Sequence, residues 1–213
     1  RTIGGLIMTH GDNNGLVLPP RIAPIQAVVL PVAAHKEGVT EAAEALIARL
    51  KAAGVRVEGD FSDNSPGWKF AEWEMKGVPL RLEIGPRDIE AGKCVAARRD
   101  SGEKTDLPLS GVETSVPALL EEIQRGLFEK AKKNLEEHTY TAASVDEVRD
   151  IVEHRGGGFV KTMWCGDAAC EEKMKAEAGV SSRCIPFAQE HLGDVCPVCG
   201  RPAGTMIIWG VAY

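Results

Sequence analysis

Residues 24–57, PIQAVVLPVAAHKEGVTEAAEALIARLKAAGVRV, set the architecture. Ile25 to Val32 is apolar except for Gln26, as a strand buried on both faces requires. Thr40 stands as the N-cap of a helix whose apolar positions are Ala43, Leu46, Ile47 and Leu50, and Gly54 ends it. Val55-Arg56-Val57 is then a short second strand. A buried strand, an amphipathic helix and a further strand are the repeating unit of an α/β sandwich.

The pattern continues downstream. Ser65-Pro66 reads as N-cap and first helical residue, with Trp68, Ala71 and Met75 on one face and Gly77 as the stop. Leu80, Leu82 and Ile84 alternate with Arg81 and Glu83, a half-exposed strand. Lys93 to Arg99 and Glu103 to Leu107 form a hairpin around Asp100-Ser101-Gly102. A long helix follows, with Val116, Leu119, Leu120, Ile123, Leu127, Ala131 and Leu135 in register. The expectation is one α/β domain over residues 24–138 with a mostly parallel, mixed sheet.

Upstream, residues 1–23 open in mid-structure. Ile3, Leu6, Ile7 and His10 have the spacing of a short buried helix, Gly11 to Gly15 is a turn cluster, and Pro19-Pro20 enforces an extended chain. Alone, this piece lacks a partner to pack on and reads as the tail of another domain. Residues 139–213 form a small α+β domain. Ser144-x-x-Glu147 is a capping box for a helix carrying Val145, Val148, Ile151 and Val152. Gly156-Gly157-Gly158 breaks that helix, Phe159 to Trp164 is a strand, Glu171 to Ala178 a charged helix, and Met206 to Trp209 a final strand.

This last domain holds four cysteines as Cys165-x4-Cys170 and Cys196-x2-Cys199. Thiolates a few residues apart on a turn converge on one cation, and two such pairs complete a tetrahedral structural zinc shell with no open position. The alternatives are two disulfides or unrelated buried thiols; no secretory signal precedes these residues, which favours reduced thiols. Cys94 and Cys184 are spare. A closed site of this kind braces a domain and does no chemistry.

Composition narrows the function classes. The 213 residues are 44% hydrophobic and 26% charged, the profile of a globular chain, and no apolar run reaches the length of a membrane span. A net charge of −6 argues against a generalised nucleic-acid coat and against a zinc-ribbon DNA binder, which would need a basic recognition helix. Charge is uneven, however: Pro66 to Lys104 holds eight basic and seven acidic side chains, for a local +1. His35, His138, His154 and His191 lack diagnostic neighbours and suit surface or capping roles.

Taken together, these residues resemble the prolyl-tRNA synthetases of the archaeal/eukaryotic-like type, a class II aminoacyl-tRNA synthetase family. The resemblance rests on Arg1-Thr2-Ile3-Gly4 through His10-Gly11-Asp12, Gly15 to Arg21, Ser65 to Phe70, and Leu82-Glu83-Ile84-Gly85-Pro86-Arg87-Asp88. Trp164-Cys165-Gly166, Arg183-Cys184-Ile185-Pro186 and the terminal tyrosine extend it across the chain. It implies that residues 1–23 end the catalytic domain at motif 3, with Arg1 as an ATP-binding arginine. Residues 24–138 would be the class IIa anticodon-binding domain, and 139–213 the zinc-binding extension held by Cys165, Cys170, Cys196 and Cys199. The whole enzyme would ligate proline to its tRNA through a prolyl-adenylate with ATP and magnesium, as a cytoplasmic homodimer. Motifs 1 and 2 are not among these residues, so this chain alone is expected to be inactive.

Within that resemblance the anticodon of proline tRNA offers two guanines, which Glu83, Arg87 and Asp88 could read and which Lys69 and Lys93 could support as RNA-binding cations. Trp68 and Trp73 could stack on bases, although tryptophan on a helix face is more often core. Tyr213 would carry its terminal carboxylate toward the catalytic domain near Arg1 and Thr2. The reading from another class is a stand-alone RNA-binding or accessory interaction module with a zinc lobe.

Overall fold

The computed structural model describes residues 1–212 and divides into two compact units, Arg1–Glu129 and Lys130–Tyr213. The division falls inside a long helix, whereas the sequence suggested a boundary at its end.

The first unit opens with α1 (Thr2–His10) and a small hairpin of β1 (Gly11–Asp12) and β2 (Gly15–Leu16). α1 forms where its spacing predicts, but it is not buried: Ile3 is 74% exposed and Met8 73%. Of the face that its spacing marks, only Leu6 and His10 are half-buried. β3 (Ala27–Pro31) is buried at every position, as its apolar run requires. α2 (Val39–Ala52) follows, but Thr40 does not cap it. Gly38, at φ 79°, occupies the N-cap, and the Thr40 hydroxyl donates instead to the Ala34 carbonyl at 3.3 Å. The next strand, β4 (Val57–Gly59), lies two residues later than expected.

α3 (Pro66–Met75) starts at Ser65, whose hydroxyl accepts from Trp68 N. Its Trp68, Ala71 and Met75 face points to solvent, and the inward positions are Lys69, Phe70 and Trp73. β5 (Leu80–Ile84), the short α4 (Pro86–Glu90), β6 (Lys93–Arg98) and β7 (Lys104–Pro108) complete the sheet, in the order β4-β3-β5-β6-β7. β3 pairs in parallel with both β4 and β5, while the β5–β6 and β6–β7 pairings are antiparallel. The sheet is mixed, and its parallel share stops at β5. Five residues of α4 are too few for the crossover a further parallel strand would need.

α2 and the first half of α5 (Val112–Glu137) cover one face of this sheet, burying Leu46, Leu50, Val116, Leu120 and Ile123 against Val29, Leu80, Leu82, Ile84 and Ala96. Each buried valine, leucine or isoleucine side chain contributes about 1.5–3 kcal/mol. α3 covers only part of the other face, with Phe70 and Trp73 against Val28, Leu30 and Val78.

In the second unit β8 (Thr139–Thr141) and α6 (Val145–His154) lead to β9 (Phe159–Trp164), which pairs in parallel with β8. Ser144 caps α6 by accepting from Glu147 N, but the Glu147 carboxylate reaches back to Ala143 N rather than to Ser144 N. α7 (Ala168–Ala178), β10 (Val180–Cys184) and β11 (Thr205–Val211) complete a sheet ordered β10-β11-β9-β8. β8 and β10 escape a sequence reading because each is short and largely polar. Val148, Ile151 and Met174 from the helices pack on Val160, Ile207 and Trp209.

Candidate functional site

The sheet face that α3 leaves uncovered is built from alternation and register. Leu80, Leu82 and Ile84 point into the core, so Arg81 and Glu83 point to the opposite side. Register places Val95 and Asp106 in line with Glu83, and Ala97 and Lys104 in line with Arg81. Lys93, two residues before Val95, shares that side. The outcome is a polar surface beside the Phe70 ring, carrying Arg81, Glu83, Lys93, Lys104 and Asp106.

Its charges are paired. Glu83 Oε1 accepts from Arg81 at 3.0 Å and from Lys104 Nζ at 3.0 Å, and Oε2 accepts from Lys104 at 3.2 Å. One acceptor position on Oε2 remains for an outside donor. Arg81 lies 4.1 Å and Lys104 5.5 Å from the Phe70 ring centre. Lys93 Nζ sits 2.6 Å from Asp106 Oδ2, and this hydrogen bond raises the lysine above its usual pKa. Arg87 is exposed on α4 and makes no ion pair among the described residues. Asp88 accepts from Gly85 N at 2.9 Å, so one of its oxygens caps α4.

The remaining predicted residues fall elsewhere. Lys69 does not face solvent: it is 5% exposed, its Nζ donating to the Asp60 carbonyl at 3.0 Å and lying 3.6 Å from Asp60 Oδ1. Asp60 also accepts from Ser62 N, Ser62 Oγ and Trp73 Nε1. Burial pushes the Asp60 carboxyl up, but the Ser62 and Trp73 hydrogen bonds and the Lys69 charge outweigh it and hold the group below its usual pKa. Trp73 is thereby committed inside the unit, whereas Trp68 is half exposed. Arg1 is exposed at the N-cap of α1. Tyr213 lies outside the described residues. His154 pairs with Asp150, His191 with Asp194, and the His138 ring contacts the Asn134 carbonyl.

The structure brings the four paired cysteines together. Cys165 follows β9 on a turn through Gly166 (φ 84°), and Cys170 lies in the first turn of α7, whose N-cap is Asp167. The second pair sits on a tight turn closed by Cys196 N to Arg201 O and Gly200 N to Cys196 O, both at 2.9 Å. All four Sγ atoms lie within 4.8 Å of one another, and Cys165 is 3.6 Å from Cys170 and 3.7 Å from Cys199. A disulfide needs about 2.05 Å, so no pair is bonded. Metal–sulfur bonds of about 2.3 Å in a tetrahedron give sulfur–sulfur edges near 3.8 Å. The donor set therefore fits a tetrahedral metal ion.

Arg201 leans on this cluster, with Nε 3.3 Å from Cys199 Sγ and Nη2 3.7 Å from Cys165 Sγ, and Asp167 holds the same guanidinium. The guanidinium brings the Cys199 thiol down to about 6, while burial pushes Cys170 up to about 12. Sequence reasoning passed over Arg201, although a cation two residues after a ligand cysteine is a usable signal. It also passed over Arg81, Lys104 and Phe70 as one surface, which only the register joins.

A family described as an anticodon binding domain matches residues 26–119, and one described as prolyl-tRNA synthetase, C-terminal, matches residues 145–213. Curated relatives include proline–tRNA ligase 2 of Bacillus cereus and a proline–tRNA ligase of Clostridium novyi. Each is 54% identical over 213 residues, covering 100% of this chain and 44% of the relative. The chain thus spans less than half the length of these relatives. Among solved structures, prolyl-tRNA synthetase from Cryptosporidium parvum complexed with L-proline and AMP superposes with a TM-score of 0.92 at 40% identity. That match covers 99% of this chain and 45% of the other. No helix among the described residues is long and apolar enough to cross a membrane.

Proposed function

Because the chain belongs to the prolyl-tRNA synthetase family and carries its anticodon-binding and C-terminal domains, we propose that it works as the tRNA-reading part of a cytoplasmic, homodimeric proline–tRNA ligase. The whole enzyme ligates proline to its tRNA through a prolyl-adenylate, using ATP and magnesium. In this reading residues 1–23 end the catalytic domain, 24–138 bind the anticodon and 139–213 form the zinc-binding domain. Arg1 contributes to the ATP site.

The observation that carries the proposal is the polar sheet face beside Phe70, in the domain that matches the anticodon-binding family. Glu83 can accept from guanine N1 and N2 donors, and Arg87, which makes no ion pair among the described residues, can donate to a guanine edge. Lys93 and Lys104 lie on the same side and suit phosphates, and Phe70 offers an aromatic plane. Asp88 orients α4, and so Arg87, through its bond to Gly85 N. Lys69 is a strut between β4 and α3, not a contact for RNA.

Cys165, Cys170, Cys196 and Cys199 would hold zinc as thiolates. Four protein ligands leave no open position, so the ion braces the unit and Arg201 offsets part of the thiolate charge.

Affinity of this chain for proline tRNA should be salt-sensitive and fall at least about tenfold when both anticodon guanines are replaced. Equal binding of the altered tRNA would refute base reading. ATP–pyrophosphate exchange by this chain alone, above background, would refute its dependence on the missing motifs.

A further inference from the structure

The hairpin that follows α1 is clamped to the edge of the polar sheet. Arg99, at the β6–β7 turn, donates from Nη2 to Asp12 Oδ1 at 2.6 Å and from Nη1 to Asp12 Oδ2 at 2.9 Å. Its Nε donates to the Glu74 carbonyl at the end of α3, 2.9 Å away. The Arg99 side chain is only 6% exposed, so the arginine end of this fork is enclosed, while its Asp12 end is 44% exposed. Asp12 in turn accepts from Asn14 N, and Asn14 Nδ2 donates to Glu74 Oε1 at 3.0 Å.

Backbones also meet there. A Cβ on Gly15, at φ 129°, would stand 2.4 Å from the Met75 carbonyl oxygen, and one on Gly77, at φ 75°, would stand 2.7 Å from backbone atoms of Leu16. Both positions tolerate only glycine, and the two segments touch directly. The β6–β7 turn itself is fastened from behind, since Arg98 pairs with Asp100 at 2.9 Å and with Glu122 of α5 at 2.5 Å. A chain of contacts therefore runs from the strand carrying Lys93, through Arg99 and Asp12, to the hairpin that continues directly from α1.

We infer that Arg99 is a positioning residue that, through Asp12, fixes the direction of α1 relative to the base-reading sheet. The inference rests on the proposed reading, in which α1 borders the catalytic centre. A tRNA bound at the sheet delivers its acceptor end to that centre as an intramolecular event, at an effective concentration set by how firmly the two parts are aligned. Proline activation needs no tRNA and no such alignment. Loosening the clamp should therefore lower charging and spare adenylate formation.

The test uses the full-length enzyme with Asp12→Asn, Arg99→Lys and the double variant. Asn keeps the contact with Asn14 N, and Lys keeps the charge but lacks the two-pronged fork. Expected are tRNA-independent ATP–pyrophosphate exchange within about twofold of the parent, a charging kcat down on the order of tenfold, little change in KM for tRNA, and a double variant no worse than either single. Equal losses in exchange and charging would reduce the clamp to general stability, and unchanged charging in all three variants would overturn the inference. If the parent itself activates no proline, the family-based reading fails instead.

Discussion

Replacing Lys69 or Asp60 should damage the first unit unequally, and neither should act through RNA. Lys69 is 5% exposed and Asp60 9%. The lysine has two partners, the Asp60 carbonyl at 3.0 Å and the carboxylate at a loose 3.6 Å. The carboxylate keeps three other donors, Ser62 N at 3.0 Å, Ser62 Oγ at 2.6 Å and Trp73 Nε1 at 2.8 Å. Lys69→Met preserves the apolar stem and leaves a carboxylate that is still hydrogen-bonded, so it should cost about 1–3 kcal/mol. Asp60→Ala leaves the buried ammonium its backbone carbonyl partner but no counter-charge, and leaves the Trp73 N–H without its acceptor, which should cost about 3–5 kcal/mol. A gap of about 2 kcal/mol corresponds to roughly 1 M in urea midpoint at a slope near 2 kcal/mol per M. Urea unfolding followed by hydrogen exchange in residues 57–75 separates this unit from the other. Proline-tRNA affinity measured at several salt concentrations should match the parent for Lys69→Met. A loss of affinity with a shallower salt slope, or equal destabilisation by the two variants, would refute the argument.

Cys196→Ser, or treatment with a strong chelator, should release about one metal ion per chain and loosen residues 160–212 while hydrogen exchange in the first unit stays unchanged. Arg201→Ala should speed metal transfer to a competing chelator without unfolding the metal-loaded unit, as read by the charge-transfer band of the cobalt-substituted protein. Gly158→Ala should destabilise the second unit, by at least about 1–3 kcal/mol, because φ is 120° and the added Cβ would stand 2.2 Å from the His138 carbonyl oxygen; thermal unfolding checks it. The Arg49–Glu113 pair, at 2.6 Å, holds Glu113 down to about 2. Its stabilisation is present above pH about 4.5 and fades as the pH falls toward 2, so Glu113→Gln should flatten acid unfolding in that window.

Most of the element order was legible in the residues, apart from α4, β8 and β10, because each signal was local. The Leu80/Leu82/Ile84 alternation, the Ser65-Pro66 start and the Asp100-Ser101-Gly102 turn each specify a conformation through neighbours a few positions away. The cysteine pairs were equally legible, since two short spacings limit where thiols can point. Burial was less so. α1 has the pattern of a packed helix and is exposed, while Lys69 has the character of a surface residue and is enclosed. Periodicity says which residues share a side, but what covers that side depends on distant segments. Tertiary structure alone decided that Glu83, Lys104 and Lys93 share one face with Phe70, because strand register sets that alignment. It also decided that Asp12 and Arg99, 87 residues apart, close on each other. Neither residue has a neighbour in sequence that announces the pair; the β6–β7 turn and the β1–β2 hairpin must first be docked against α3 before the two charges can meet.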